Sequence, residues 1–218
     1  MAESIPIITV VDDDPSVRRA LSRLLAAEGY HVRPYSTPGE MLEAPPLAGP
    51  GCLLLDVRMP QVDGLHLQEI LAANGVDQSI VFITGHGDVR SSVRAMKAGA
   101  IDFLLKPFTD EALLDAVRRA LVRDAKQREA RRRHDEITKR AARLTRRERE
   151  VCLLVVKGML NKQIAAAIGT TEKTVKVHRA RAMAKMNAES LAQLVRLVDG
   201  LVMGDASPPM ERNSELAP

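Results

Sequence analysis

The chain has 218 residues, of which 45% are hydrophobic and 28% charged, enough to supply one large or two small globular domains. No apolar run approaches the roughly 20 residues of a membrane helix and no export signal is present, which predicts a soluble, cytoplasmic protein without a membrane partner. Residues 1–125 carry 12 Lys+Arg against 17 Asp+Glu and residues 126–218 carry 20 against 11, so the first half suits a cation site and the second a polyanion.

Strand and helix patterns alternate through the first half of the chain. Runs rich in β-branched residues or leucine predict five strands, at 5–11, 30–34, 53–55, 80–83 and 101–105. Helical spacing of apolar residues predicts helices near 15–28, 37–43, 64–73 and 89–98 and another from 109, with Asp14 as the N-cap of the first. This alternation indicates a parallel sheet of five strands with helices on both faces, a doubly wound α/β fold.

Polar residues follow these predicted strands at their C-terminal ends, namely Asp12, Asp13, Asp56, Thr84 and Lys106. The C-terminal ends of parallel strands share one edge of the sheet, so these side chains are expected to meet. Three converging carboxylates repel each other unless a cation lies among them, and oxygen ligands suit Mg²⁺. A carboxylate can also attack phosphorus, with an ammonium and a hydroxyl stabilising the transferred group. Each residue alone would be ordinary, but together they favour Asp56 as the reactive group.

Four motifs in this half resemble the receiver domain of two-component response regulators. They are Val11-Asp12-Asp13-Asp14, Leu55-Asp56-Val57-Arg58-Met59-Pro60 with Asp63-Gly64, Ile83-Thr84-Gly85, and Lys106-Pro107-Phe108. The resemblance implies the flavodoxin-like form of the fold and Asp56 as acceptor of a phosphoryl group from a cognate sensor histidine kinase. It also implies a Mg²⁺ site made by Asp12, Asp13, Asp56 and the main-chain carbonyl of Arg58.

The same resemblance assigns the remaining residues of the pocket. Thr84 and Lys106 would bind the phosphate, Thr84 and Phe103 would form the conformational switch, and the Lys106–Pro107 peptide bond would be cis. Phe103 could equally be an ordinary core residue. Arg58 and His86 flank the pocket, where they could affect the lifetime of the phosphate.

A charged segment joins the two halves. The apolar pattern of Leu113, Val117 and Leu121 fades into residues 125–138, which predicts a helix that extends beyond its domain. Arg131, Arg132 and Arg133 could contact DNA phosphates, although a charged run on a polar helix is more often a solvated face.

The second half begins with a capping box at Thr145 and Glu148, which predicts the start of a helix that ends at Gly158. A second helix is predicted at 162–168 and a third at 172–186, with a glycine-containing turn between them. These two helices and their turn form a helix-turn-helix, and a fourth amphipathic helix follows, with Leu191 and Leu194 on its apolar side. The result is a small all-α domain.

The third helix of this half has an apolar face and a basic face. Val175, Ala182 and Met186 lie on the first, whereas the opposite face combines lysines with small side chains that could enter a DNA major groove. Other polar residues are placed for phosphates. A solvated basic helix is the alternative. The predicted DNA contacts are Lys173, Thr174, Lys176, Val177, His178, Ala180, Arg181 and Lys185.

Motifs in this half resemble the LuxR-type DNA-binding domain. They are Leu144 to Val151, Gly158, Asn161-Lys162-Gln163-Ile164-Ala165 and Thr174-Val175-Lys176-Val177-His178. Both resemblances together imply a FixJ/NarL-like response regulator, a phosphorylation-dependent transcriptional regulator and not an enzyme. The implied partners are the kinase, double-stranded operator DNA and a second copy of the chain after phosphorylation, with RNA polymerase as a further candidate.

The predicted domains are a receiver at 1–122, a helical linker at 123–140, a LuxR-type helix-turn-helix at 141–203 and a flexible tail at 204–218. Two other functions remain open at this point. Asp12 and Asp14 have the Asp-x-Asp spacing of haloacid-dehalogenase-type phosphatases, in which Asp12 would be the nucleophile. Alternatively, the chain could bind DNA constitutively and never accept phosphate.

Overall fold

The computed structural model describes residues 5–45, 49–60, 62–76, 78–85 and 89–204, without the side chains of 200 and 202–204. Contacts divide the chain into two compact units, Met1–Glu129 and Ala130–Pro218. Within the described residues, none of the helices combines the length and apolar character that crossing a membrane requires. The predicted flexible tail is 204–218, and its residues from 205 onward lie outside the part of the chain that the structure describes.

The first unit contains a five-stranded parallel sheet. Its strands are β1 (Ile7–Val11), β2 (His31–Tyr35), β3 (Gly51–Asp56), β4 (Ser79–Thr84) and β5 (Asp102–Leu105). Its helices are α1 (Pro15–Ala27), α2 (Pro38–Glu43), α3 (Gly64–Ala73), α4 (Val89–Lys97) and α5 (Asp110–Ala141). The strand order is β2-β1-β3-β4-β5, so the predicted doubly wound, flavodoxin-like fold is confirmed.

Strand β3 lies at the centre of this sheet and is buried along its whole length. Its side chains alternate between two apolar cores: Leu53 and Leu55 belong to one, and Cys52 and Leu54 belong to the other. The two cores lie on opposite faces because successive side chains of a strand point to opposite sides of the sheet. Burial on both faces explains the continuous apolar sequence and brings Asp56 to the C-terminal edge.

The second unit is entirely helical in its described elements. After the end of α5 come α6 (Arg146–Val156), α7 (Asn161–Ile168), α8 (Glu172–Met186) and α9 (Leu191–Gly204). Thr145 and Glu148 form the predicted capping box, and Gly169 takes a left-handed conformation with φ 69° in the turn before α8. Val175 and Met186 are fully buried. The predicted helix-turn-helix is therefore confirmed.

The predicted linker falls within one continuous helix. Helix α5 runs for 32 residues and includes all of 123–140. Its first part packs on the sheet through Leu113 and Val117, and its last part contributes Ile137 and Ala141 to a core of the second unit.

Candidate functional site

Three carboxylates meet at the C-terminal edge of the sheet. Asp12 and Asp13 follow β1, and Asp56 is the last residue of β3. Each offers a carboxylate oxygen that lies within 4.8 Å of an oxygen of the other two. Among the described residues, these three side chains form an acidic group that could hold a metal ion. Asp12 is fully buried and Asp56 is 7% exposed, whereas Asp13 is exposed to solvent. The predicted convergence of these side chains is therefore present.

Lys106 joins two of the three carboxylates. Its Nζ donates to Oδ2 of Asp12 at 2.6 Å and to Oδ2 of Asp56 at 3.0 Å. Burial lowers the pKa of Lys106, but the hydrogen bonds to the two carboxylates outweigh burial, so the pKa lies above its ordinary value. Burial raises the pKa of Asp12 by more than its hydrogen bonds from Lys106 and Asp14 lower it. The lysine is thus a fixed cation at this edge.

Main-chain groups hold the carboxylates in place. Oδ1 of Asp12 accepts the N–H of Asp14 at 2.9 Å, and Oδ1 of Asp56 accepts the N–H of Arg58 at 3.1 Å. Asp14 itself caps α1, as predicted, by accepting the N–H of Ser16. On the other side, Nη1 of Arg18 donates to the main-chain oxygen of Asp12 at 2.5 Å. Sequence reasoning missed Arg18, because nothing in its position on α1 distinguishes it from a solvated arginine.

Gly64 allows α3 to begin directly behind Asp56. A Cβ atom at Gly64 would lie 2.2 Å from the main-chain oxygen of Asp56, far inside van der Waals contact. The N–H of Gly64 donates to the oxygen of Val57 at 2.9 Å, and Asp63 caps the helix by accepting the N–H of His66. The glycine of the Asp63-Gly64 motif therefore allows the close packing of α3 against the end of β3 that carries Asp56.

Thr84 and Phe103 lie on the two strands next to this group. Thr84 is buried at the end of β4, and its main-chain oxygen accepts the N–H of Lys106 at 2.8 Å. Phe103, on β5, is half-buried, with its ring centroid 6.2 Å from that of Phe82. The Lys106–Pro107 peptide bond is cis. Arg58 is exposed, and His86 lies outside the described residues.

The donor set at this edge fits a hard divalent cation. Carboxylate and carbonyl oxygens are the ligands that Mg²⁺ prefers, and Asp13 leaves one side open to solvent for water ligands. In the described contacts, the ammonium of Lys106 bonds two of the three carboxylates and the guanidinium of Arg18 bonds the main-chain oxygen of Asp12, so the three carboxylates still outnumber the cations beside them and leave net negative charge for a metal ion to offset. The geometry can therefore accommodate a divalent ion beside a transferred anionic group.

Most of the predicted DNA contacts lie on one exposed face of α8. Lys173, Lys176, Val177, Ala180 and Arg181 are exposed, and Val177 retains 42% of its surface. Thr174 and His178 are half-buried. The face therefore combines cationic heads with small or branched apolar side chains, as the sequence predicts for a helix that enters a major groove.

Lys185 is placed differently from the other predicted contacts. Its Nζ donates to Oε2 of Glu148 at 2.6 Å, and this carboxylate is 2% exposed. The hydrogen bond from Lys185 is the main cause that lowers the pKa of Glu148, followed by the N–H of Thr145. Arg179 likewise turns to α7, where Nη1 donates to Oδ1 of Asn161 at 3.2 Å. These two cations hold α8 on its neighbours, a function that sequence reasoning missed.

Together, the two units define a class of protein in which a doubly wound α/β domain with an acidic site precedes a helix-turn-helix domain on one chain. Nothing in the second unit alone would indicate a signal input, and nothing in the first would indicate a nucleic-acid output. Their combination on one chain is typical of signal-dependent transcriptional regulators.

The chain belongs to the two-component response regulators with a LuxR-type DNA-binding domain. The family model described as response regulator receiver domain matches residues 8–118, and that of bacterial regulatory proteins of the luxR family matches residues 142–198. The chain is 46% identical over 195 residues to nodulation protein W of Bradyrhizobium diazoefficiens, covering 89% of this chain and 86% of the relative. It is 43% identical over 211 residues to the transcriptional regulatory protein FixJ of Azorhizobium caulinodans, covering 96% and 100%.

Solved structures agree with these relatives. The response regulator StyR has a TM-score of 0.78 at 47% identity, covering 90% of this chain and 100% of that one. Full-length FixJ from B. japonicum has a TM-score of 0.55 at 38% identity, covering 91% and 98%. The resemblance to response regulators with a receiver domain and a LuxR-type domain, inferred from the sequence motifs, is therefore confirmed.

Proposed function

We propose that Asp56 accepts a phosphoryl group from a sensor histidine kinase and that this modification controls DNA binding. The observation that carries the proposal is the contact between Asp56 and Lys106, in which a carboxylate at the sheet edge lies 3.0 Å from a fixed ammonium. A carboxylate in this setting is a competent nucleophile toward phosphorus, because the adjacent cation offsets charge on the transferred group.

In the transfer, one carboxylate oxygen of Asp56 forms a bond to the phosphorus of a phosphohistidine while the P–N bond breaks. The electron pair of that bond remains on the imidazole nitrogen, which takes up a proton from solvent. Asp56 then carries an acyl phosphate. Lys106 contacts the phosphoryl oxygens through its ammonium, and the Thr84 hydroxyl donates a hydrogen bond to one of them.

Asp12, Asp13 and Asp56, with the main-chain carbonyl of Arg58, are the proposed ligands of Mg²⁺. The mutual approach of the three carboxylate oxygens within 4.8 Å supports this assignment. When bound, the cation offsets the repulsion of the carboxylates and the negative charge of the phosphoryl group, and it favours the ionised form of buried Asp12.

Phosphorylation of Asp56 would change contacts that lie close to the proposed switch residues, Thr84 and Phe103. Lys106 holds Asp12 and Asp56 in the unmodified chain, so a phosphoryl group that takes up its ammonium must change these contacts. The main chain of Lys106 is bonded to Thr84, and Phe103 lies three residues before it on β5. These new contacts differ between the two states, which is the requirement for a shift in population.

The output is a homodimer that binds operator DNA. Two DNA-binding domains held together reach paired half-sites with a higher apparent affinity, because the second contact becomes intramolecular. Lys176, Val177 and Ala180 are the proposed base contacts. Lys173, Thr174, His178 and Arg181 are the proposed phosphate contacts, and Lys185 remains a weaker candidate because of its bond to Glu148.

The proposed domains are the receiver at 1–122, the linker at 123–140, the DNA-binding domain at 141–203 and the tail at 204–218. The family matches, which end at 118 and begin again at 142, support a linker between the two domains, and the first residues of that linker, including Asp124, still pack on the sheet of the first unit. Regulation of transcription in the cytoplasm, without enzymatic turnover, is the expected function, with RNA polymerase as a further partner.

The experiment incubates the full chain with acetyl phosphate and Mg²⁺ and measures covalent phosphorylation, molecular mass in solution and affinity for genomic DNA fragments. We expect phosphorylation, dimerisation and tighter DNA binding in the wild type and in the control Asp135→Asn, an exposed acid. None of these should occur in Asp56→Asn. Uptake of phosphate by Asp56→Asn contradicts the site assignment, and unchanged DNA affinity favours a constitutive binder. Continuing hydrolysis of phosphomonoesters favours the phosphohydrolase.

A further inference from the structure

Helix α5 buries a carboxylate in the stripe of residues that faces the sheet. Leu113, Val117 and Ala120 are fully buried, and the next position on the same face is Asp124, which is only 2% exposed. An apolar residue would be the ordinary occupant of this position. A buried carboxylate lowers stability unless hydrogen bonds compensate for its lost hydration, so its partners are informative.

The partners of Asp124 lie on two different elements. Its Oδ2 accepts the main-chain N–H of Gly51 at 3.1 Å and the Nε–H of Arg128 at 2.8 Å. Gly51 is the first residue of β3, and Arg128 lies one turn further along α5, next to the end of the first unit at Glu129. The carboxylate therefore joins the last turn of α5 within this unit to the central strand.

The point of attachment on β3 is tightly packed. A Cβ atom at Gly51 would lie 2.1 Å from the main-chain oxygen of Ile7 on the neighbouring strand. The N–H of Ile7 in turn donates to the oxygen of Pro50 at 2.9 Å. Burial, with the charge of Asp124 adding to it, raises the pKa of the neighbouring Cys52 thiol to about 12, so this thiol remains neutral. The Asp124 carboxylate is thus hydrogen-bonded to a tightly packed end of β3, and the neutral Cys52 thiol adds no negative charge that would repel it.

We propose that Asp124 is a positioning residue that latches α5 to the strand carrying the phosphoacceptor, so that the state of Asp56 is transmitted to the helix leading out of the receiver. Strand β3 has the latch at its first residue and Asp56 at its last. A hydrogen bond is directional, so it fixes the rotation and axial position of α5 in a way that apolar packing does not. The inference rests on the proposed function.

The experiment compares the full-length wild type with Asp124→Leu, which keeps the branched shape of the side chain but is larger and loses both hydrogen bonds, and with the isosteric Asp124→Asn, which retains an acceptor for Gly51. Asp115→Leu and Asp115→Asn are matched controls, because Asp115 is an exposed acid on the same helix. Each chain is assayed for phosphorylation by acetyl phosphate with Mg²⁺ and for DNA affinity before and after phosphorylation.

We expect all five chains to take up phosphate equally and to bind DNA equally without it. The gain in DNA affinity on phosphorylation should fall about 5-fold or more in Asp124→Leu, and should remain within about twofold of wild type in Asp124→Asn and in both controls. A wild-type gain in Asp124→Leu overturns the latch alone. Absence of any gain in the wild type overturns the proposed function instead.

A second measurement does not depend on a variant that folds. Hydrogen exchange of the wild type, followed by mass spectrometry, reports peptides containing Gly51 and peptides from residues 121–129 before and after phosphorylation. The latch predicts that both regions change together, because the hydrogen bond couples them. A change at Gly51 with unaltered exchange at 121–129 overturns the proposal.

Discussion

The Nζ of Lys106 lies 3.0 Å from Oδ2 of Asp56, although the two residues are 50 positions apart in the chain. This contact places the positive charge beside the oxygen that is proposed to attack phosphorus. Because the ammonium also holds Asp12 at 2.6 Å, it is oriented before any donor arrives. Preorganised charge of this kind stabilises a transition state without reorganisation.

Lys106→Met should therefore slow phosphorylation of the chain by acetyl phosphate and Mg²⁺ by roughly 10- to 100-fold. The methionine side chain has similar length but supplies no charge to the developing phosphoryl oxygens. Lys97→Met is the control, since Lys97 is exposed at the end of α4. Initial rates measured by intact-mass spectrometry decide the matter, and a rate within twofold of wild type would contradict the assigned function of Lys106.

Gly64→Ala should destabilise the receiver and slow its phosphorylation. The added Cβ would lie 2.2 Å from the main-chain oxygen of Asp56, so α3 or the β3–α3 loop must move, at a cost of about 1–3 kcal/mol. Gly39→Ala is the matched control, because the nearest atom to its new Cβ is 3.9 Å away. Urea unfolding gives the difference in stability. Equal unfolding midpoints for the two variants would show that the loop is not constrained as described.

The sheet and its polar edge could be predicted because they depend on local patterns and one rule of topology. Each strand was recognisable from its own residues, and parallel order alone brings Asp12, Asp56 and Lys106 to the same edge. The contacts of Asp124 and Lys185 could not be predicted in the same way. Their partners are 73 and 37 positions away, and a charged residue on a helix is ordinarily solvated. Only the packing of the helices reveals that these charges are buried or paired.

Glu148→Gln should destabilise the second unit at neutral pH by about 1–3 kcal/mol, because the buried carboxylate pairs with Lys185. The pKa of Glu148 is lowered from 4.5 in the folded chain, so its stabilisation is fully present above that value. This stabilisation is lost as the pH falls from 4.5 through the lower pKa that Glu148 has in the folded chain. The difference between wild type and Glu148→Gln should therefore shrink in acid.

Urea unfolding combined with hydrogen exchange of peptides from α6 and α8 measures this difference at neutral pH and below pH 4.5. Glu150→Gln is the control, since Glu150 is more exposed and pairs with Arg147 at the surface of the same helix. A wild-type advantage that stays constant on acidification would show that the charge of Glu148 is not the stabilising feature.

The exposed and the paired lysines of α8 should affect DNA binding in different ways. Lys176→Ala removes an exposed cation from the proposed groove-facing surface, so affinity for a specific site should fall by about 1–3 kcal/mol, with relaxed preference at one base pair. Lys185→Ala removes a cation that is already hydrogen-bonded to Glu148. It should therefore lower the stability of the domain and leave the number of DNA phosphates neutralised nearly unchanged. Fluorescence anisotropy of the phosphorylated chain at several salt concentrations distinguishes the two variants. Each lost phosphate contact reduces the slope of log affinity against log salt concentration by about 1. Equal loss of salt slope in both variants would place Lys185 on the DNA.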